Sequence, residues 1–106
     1  MAQSFKCAMI AQPMAGRTEE EILRSRRKAV KFLQQQGYEV LRTYFREPFV
    51  PRQGSIHPGL YLLAKSLDAM AHCHTVYFCK GWENARGCRI EHEAAQNYGL
   101  TIIYEE

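Results

Sequence analysis

Gly81-Trp82-Glu83-Asn84-Ala85-Arg86-Gly87-Cys88-Arg89-Ile90-Glu91-His92-Glu93 is the stretch that decides the fold. It follows a short apolar run at residues 74–79 and leads into a run of helical character that continues to Tyr98. A strand, a glycine-flanked polar loop and a helix in this order predict a strand-loop-helix corner. Ligands of open α/β sheets bind outside the carboxyl ends of the strands, so we expect this corner to face a ligand site.

The corner carries three carboxylates, Glu83, Glu91 and Glu93, within eleven residues. Glu91 follows Gly87 by about one helical turn, which places it in the first turns of the predicted helix. Unpaired backbone N–H groups and the helix dipole favour negative charge there. We therefore expect Glu91 to be ionised and able to attack an electrophile.

The rest of the chain completes a sheet around this corner. Apolar runs at residues 4–11, 38–43 and 100–104 predict three more strands, and helical patterns at residues 19–36 and 60–71 separate them. Strands that alternate with helices predict a parallel sheet with right-handed crossovers. We therefore predict a single α/β domain over residues 1–106, a small Rossmann-like (flavodoxin-like) parallel sheet of about four strands with flanking helices.

Two local patterns support this organisation. Thr18 followed by Glu21 predicts a capping box at the start of the first helix. Val76 and Phe78 should face one layer of the sheet, while Tyr77 and Cys79 face the other. Apolar residues at helical spacing are expected to pack the later helices into the core; they are Leu60, Leu63, Leu67 and Met70 in one helix and Ile90, Ala94 and Ala95 in the other.

Composition limits the classes of function. The chain has 106 residues, of which 46% are hydrophobic, enough for one compact core. An apolar run long enough to span a membrane is absent, as is a leader, so we expect a cytoplasmic protein without membrane contact. The net charge of +3 is modest. The basic face of the first helix lacks interleaved aromatic residues, so a solvated exterior is favoured over a nucleic-acid surface; that face comprises Arg24, Arg27, Lys28 and Lys31.

We expect no cofactor. The Gly-rich dinucleotide fingerprint is absent, so NAD is not implied. The four cysteines form no CxxC pair and no compact ligand set with histidine, which favours reduced thiols over disulfides or a zinc site.

The segment at residues 44–59 contains Pro48, Pro51, Gly54 and Pro58 and cannot form one regular element. Such a loop in a small domain is a functional lid, an interface segment or a solvated connection. Its polar residues suit an anion; they are Arg46, Arg52, Ser55 and His57. Its apolar residues suggest a surface that a second copy would cover, unless they fold back on their own sheet; they are Tyr44, Phe45, Phe49 and Val50.

Here the sequence resembles a known superfamily. Gly-Trp-Glu, then Arg-Gly, then Glu91 three residues after Cys88 is similar to the active-site corner of the nucleoside 2-deoxyribosyltransferase superfamily. Within it, the likeness is greatest to a family of small, uncharacterised phage-associated and bacterial domains that share the Gly-Trp-Glu corner. The resemblance covers nearly the whole chain, including the first strand and the loop that begins at residues 12–16.

The resemblance implies cleavage or transfer at the N-glycosidic bond of a nucleoside, with Glu91 as the nucleophile. The leaving base needs an acid, for which Glu83 and His74 are the candidates. His74 stands where the family commonly has aspartate, and it is otherwise a structural histidine. Trp82 either stacks on the base or packs the loop. The residues assigned to substrate binding are Gln12, Met14, Gly16, Arg17, Trp82, Arg86 and Gly87.

Three classes of function remain open at this stage. The first is an N-glycosidase or deoxyribosyltransferase that acts on a small-molecule nucleoside or its 5′-monophosphate, with Arg17 and Arg86 among the groups suited to the phosphate. The second is an inactive nucleotide-binding module of the same fold. The third is an oligomeric interaction protein, which would leave the carboxylates unexplained. Relatives complete their sites with a neighbouring subunit, which implies a homo-oligomer, at least a dimer.

Overall fold

The structure is a computed structural model that describes residues 6–44, 54 and 56–106. Its elements follow one another in strict alternation through most of the chain. They are β1 (Lys6–Ala11), α1 (Glu19–Gln35), β2 (Tyr38–Val40), α2 (Pro58–Met70), β3 (Thr75–Phe78), a short 3-10 helix (Trp82–Asn84), α3 (Arg86–Asn97) and β4 (Thr101–Tyr104).

The four strands form one parallel sheet in the order β2-β1-β3-β4. This confirms the predicted α/β class and the small Rossmann-like architecture. The chain moves outward from β1 to β2 and then returns past β1 to β3, so the strand order reverses between β1 and β3. A reversal of this kind opens a crevice at the carboxyl ends of the two strands, which is where ligands bind in open α/β sheets.

Side chains on the two central strands alternate between two apolar layers. Met9, Ala11, Val76 and Phe78 pack with residues of α2 and α3. The opposite face of the same strands packs against α1; its members from the strands are Ala8, Ile10, Tyr77 and Cys79. The predicted alternation along β3 is therefore confirmed, and α1 lies on one face of the sheet while α2 and α3 lie on the other.

Helix α1 begins as predicted. The Glu21 backbone N–H donates to the Thr18 hydroxyl (3.1 Å), and the Thr18 N–H donates to the Glu21 carboxylate (2.9 Å), which is a complete capping box. Ile22, Ala29 and Leu33 are buried beneath the helix. The basic residues predicted for its outer face are exposed.

Two of the predicted core positions are wrong. Leu60 is 60% exposed and Ile90 is 42% exposed. Leu60 lies in the first turn of α2, about 15 Å along the axis from Met70, the residue by which this helix enters the core. Helix α3 buries Cys88, Glu91 and Ala95 instead, and that stripe turns Ile90 outward because neighbouring helical residues differ by about 100°.

Candidate active site at the carboxyl edge of the sheet

The loops that follow β1 and β3 meet at the strand-order reversal. The Arg17 guanidinium donates to the carbonyl oxygen of Lys80 (3.4 Å). It also lies directly over Gly81, where a Cβ would come within 2.8 Å of Nη2. Gly81 has φ 91°, a conformation that favours glycine. A larger residue at this position would therefore be strained by its backbone conformation and would displace the end of the Arg17 side chain.

The residues predicted in the first loop divide into two groups. Met14, Gly16 and Arg17 are exposed at the rim. Gln12 is buried, and its amide donates to the carbonyl oxygen of Ile22 (2.9 Å). Gln12 is thus turned toward α1 and supports the loop, and its contact with substrate stays a prediction.

A half-buried arginine adds to this support. Arg26 donates through Nη1 to the Gln12 amide oxygen (3.5 Å) and through Nη2 to the Thr43 hydroxyl (3.3 Å). Thr43 in turn donates to the carbonyl oxygen of Ile10 (2.8 Å). The end of β1, the middle of α1 and the segment after β2 are therefore joined by side chains that sequence periodicity could not pair.

Glu91 is the buried carboxylate of the site, with a relative exposure of 6%. It lies on the side of α3 that faces α2, where it is hydrogen-bonded to Ser66. Burial raises the pKa of Glu91 from 4.5 to about 7, and the Ser66 hydrogen bond opposes part of that rise. Glu91 is therefore close to half-ionised at neutral pH, which corrects the expectation of a fully ionised group.

The pKa of Glu91 is raised, and not lowered by the helix dipole, because of the position of this residue along α3. Helix α3 begins at Arg86, so Glu91 lies about 8 Å along the axis from the helix start. The unpaired N–H groups belong to the first turn, and their influence falls off within it. Removal from water dominates instead. A carboxyl group with a pKa near neutrality can be a nucleophile when ionised or a proton donor when protonated.

The thiol beside Glu91 stays neutral. Burial and the neighbouring Glu91 charge raise the pKa of Cys88 to about 12. Burial also raises the pKa of Cys73 and of Cys79 to about 11 each. All four cysteines are free. The thiols of Cys73, Cys79 and Cys88 are therefore protonated at neutral pH and poor nucleophiles, since the thiolate is the reactive form.

Neither predicted acid is hydrogen-bonded to Glu91 or shifts its pKa through its charge. Glu83 lies in the 3-10 helix and is exposed, and its backbone carbonyl accepts from Arg89 Nη1 (3.1 Å). His74 precedes β3, and its Nδ1 accepts from the Cys7 backbone N–H (3.0 Å). The length of β3, about 13 Å, separates His74 from the carboxyl edge. His74 thus precedes β3, whereas Glu91 lies in the helix that follows this strand, and the role of His74 as the acid stays a prediction.

Trp82 packs toward β4. Its indole ring stacks on His92 at a centroid distance of 4.1 Å and an interplanar angle of 24°. Tyr104 lies nearly parallel to the same indole at 5.8 Å, and the Tyr104 hydroxyl is hydrogen-bonded to His92 Nε2 (2.6 Å). These rings border a cleft of about 360 Å³. The lining residues are Phe78, Lys80, Gly81, Trp82, Glu83, Tyr104 and Glu105.

Arg86 and Gly87 open α3 at the carboxyl edge. Arg86 is exposed, and its guanidinium lies beside Gly59 in the first turn of α2, where a Cβ would be 3.6 Å from Nη2. Neither α2 nor α3 has a side-chain hydrogen bond from its N-cap residue. Arg86 thus lies where two uncapped helix starts approach each other, whereas Arg17 lies at the strand-order reversal.

Several predictions fall on residues outside the described ranges. These residues are Phe45, Arg46, Phe49, Val50, Arg52 and Ser55. His57 is exposed. Tyr44 is half-buried, and its hydroxyl donates to Glu19 (3.1 Å). Among the described residues there is no cluster of metal-ligating side chains, and no helix in that part of the chain is long and apolar enough to cross a bilayer.

Sequence reasoning missed Ser66, His92 and Tyr104. A signal existed for Ser66, since it is a lone polar residue at helical spacing from Leu63 and Met70. No local pattern marked His92 and Tyr104, because their contact depends on the pairing of α3 with the last strand.

The fold and the site define a small parallel α/β domain with a buried glutamate behind its carboxyl-edge corner. Residues 7–104 match the model of a family described as a domain of unknown function (DUF4406). The chain belongs to this family. No curated protein and no solved structure gave a match.

Proposed function

We propose that this domain cleaves or transfers at the N-glycosidic bond of a (deoxy)nucleoside or its 5′-monophosphate, with Glu91 as the nucleophile. The observation that carries the proposal is the burial of the Glu91 carboxylate without a cationic partner among the described residues. Such burial lowers stability unless the charge is compensated. Carboxylates with strongly raised pKa values cluster at functional sites.

The proposed reaction uses the ionised form of Glu91. A carboxylate oxygen donates an electron pair to the anomeric carbon while the C–N bond electrons leave with the base, which takes up a proton. Transfer of the sugar from Glu91 to water gives a hydrolase, and transfer to a second base gives a transferase. Glu83 and His74 are the candidates for the acid, and Glu83 is preferred because it follows β3 at the corner, whereas His74 precedes that strand.

A panel of deoxynucleosides and their 5′-monophosphates tests the proposal, with free base measured by chromatography. Glu91→Gln should abolish release of the base from any substrate that the parent cleaves. Glu93→Gln is the matched control, since Glu93 is exposed on the same helix. Release that persists at the parental rate in Glu91→Gln would show that the nucleophile is another group.

The second candidate is an inactive nucleotide-binding module. It is favoured by the placement of the acids, because neither Glu83 nor His74 contacts Glu91 within the described part of the chain. Saturable binding of a nucleotide by calorimetry, with no free base after long incubation, would support the module over the enzyme.

Arg17 and Arg86 support a preference for the phosphorylated substrate. Both guanidinium groups are exposed at the carboxyl edge, and guanidinium binds phosphate through paired hydrogen bonds. We therefore propose that the 5′-monophosphate binds more tightly than the nucleoside. Equal affinities at low salt, measured by calorimetry on the Glu91→Gln variant, would remove this preference.

A further inference from the structure

The aromatic cleft beside β4 is distinct from the surroundings of Glu91. Glu91 faces Ser66 on α2, whereas the next residue, His92, stacks on Trp82 on the β4 side of α3. Adjacent residues on a helix point about 100° apart. The cleft of about 360 Å³ lies on this second side, and neither Glu91 nor Ser66 lines it.

The walls of the cleft are fixed aromatic rings. Trp82 is held by its stack on His92, and Tyr104 is held by the hydrogen bond between its hydroxyl and the same histidine. The Trp82 and Tyr104 rings are within 26° of parallel, and Phe78 packs against Trp82 at 5.3 Å. Tyr104 nevertheless remains 47% exposed. The cleft therefore presents preformed ring surfaces of similar orientation, as a flat ligand requires.

The cleft is lined by one basic residue, Lys80, and two acidic residues, Glu83 and Glu105. Glu105 accepts from the Lys80 backbone N–H (2.8 Å) and from Lys28 Nζ (3.0 Å), so its charge is already compensated. The Trp82 indole N–H, the Glu83 carboxylate and the Lys80 ammonium group have no hydrogen-bond or ion-pair partner among the described residues. The Lys80 charge also helps to lower the pKa of Glu105, so the cleft carries charges of both signs, which favours a neutral ligand over a phosphate or a quaternary ammonium ion.

We propose that this cleft binds a planar nitrogen heterocycle of the guanine type. The ring would stack on Trp82 and Tyr104, as bases stack on aromatic side chains. Its adjacent N–H groups would donate to Glu83, and its carbonyl oxygen would accept from the Trp82 indole or from Lys80. A volume of about 360 Å³ is near the lower limit for small-molecule pockets, which suits one base or nucleoside. This site goes beyond the proposed chemistry at Glu91 and shares with it only Glu83, which lines the cleft.

The test uses a reporter already present in the cleft. Trp82 is the single tryptophan of the chain, so quenching of intrinsic fluorescence reports stacking at this position. Guanosine should quench saturably and at lower concentration than adenosine. Tetramethylammonium should not saturate the signal. The titration is repeated in Glu91→Gln, where turnover is removed, so that failure of the glycosidase proposal and failure of this one are distinguished.

Substitutions in the cleft test whether the quenching reports binding at this site. Tyr104→Ala should weaken guanosine about tenfold or more, while Tyr104→Phe, which keeps the ring, should retain stacking. Glu83→Gln should weaken guanosine and leave adenosine unchanged, and because Glu83 is exposed the variant should fold. Tyr98→Ala is the control, since Tyr98 is 84% exposed and does not line the cleft.

Three results would overturn the proposal. The first is the absence of saturable quenching by any nucleoside. The second is an unchanged guanosine affinity in both Tyr104→Ala and Glu83→Gln. The third is saturation by tetramethylammonium alone, which would identify a cage for cations instead of a site for a base.

Discussion

Replacement of Glu91 by glutamine should stabilise the protein above neutral pH while it removes the proposed nucleophile. Raising the pKa of Glu91 from 4.5 to about 7 corresponds to about 3 kcal/mol of unfavourable free energy for the ionised folded form, since a tenfold change in proton affinity is worth about 1.4 kcal/mol. The folded pKa is above the unfolded one. The contribution of Glu91 to stability is therefore fully present below pH 4.5 and is lost as the pH rises through about 7.

The measurement is urea denaturation of the parent and of Glu91→Gln at pH 5 and pH 8. Glutamine has the shape of the protonated acid and does not ionise. The difference in free energy of unfolding between the two proteins should therefore shift in favour of the variant by about 2–3 kcal/mol between these pH values. A shift of this size corresponds to about 10 °C or more in Tm for a domain of this length.

The difference in free energy of unfolding between the variant and the parent isolates the contribution of Glu91. Every other titrating group is common to both proteins, and its contribution cancels in the difference. Glu93→Gln, at an exposed position of the same helix, should show no comparable shift. If the advantage of Glu91→Gln were the same at pH 5 and pH 8, Glu91 would not be the buried titrating group that the structure describes.

Three further outcomes are expected. Ser66→Ala should raise the pKa of Glu91, because the hydrogen bond that it removes favours the ionised form. The midpoint of the pH profile of any glycosidase activity should therefore move to higher pH. Ser66→Thr, which keeps the hydroxyl, should restore the parental midpoint. Gly81→Ala and Gly37→Ala should each lower the free energy of unfolding in urea by about 1–2 kcal/mol, since both glycines have positive φ. Only Gly81→Ala displaces Arg17, so only this variant should weaken binding of a 5′-monophosphate. Sedimentation at micromolar concentration should give at least a dimer, and a mass of 12.3 kDa with ligand present would contradict a shared site.

The fold could be predicted because it rests on local patterns. Apolar periodicity located the four strands and three α-helices of the described residues but not the short 3-10 helix. The Thr18 capping box placed the start of α1 at Glu19, as observed. The helix after the long loop begins at Pro58, two residues earlier than predicted. Proline suits the first position of a helix, since its missing N–H group has no intrahelical partner there.

The site was less predictable because it depends on contacts between distant elements. The burial of Glu91 requires α2 to pack against α3, and no local sequence pattern predicts how far that packing excludes solvent from a carboxylate. The edge at which His74 lies was predictable, however. His74 begins the apolar run that leads to the corner, and in a parallel sheet the start and end of a strand lie at opposite edges.

Both backbone polar groups of Lys80 are hydrogen-bonded to side chains. Its carbonyl accepts from Arg17 in the first loop (3.4 Å), and its N–H donates to Glu105 (2.8 Å), which is also bound by Lys28 of α1. The corner is consequently braced by three separate parts of the chain and behaves as a fixed wall. Entry and exit of a ligand should therefore depend on movement at the start of α2, where Gly59 and Arg86 approach each other. Amide exchange at Lys80 should be slow for a residue so close to solvent, and it should stay slow when a ligand binds.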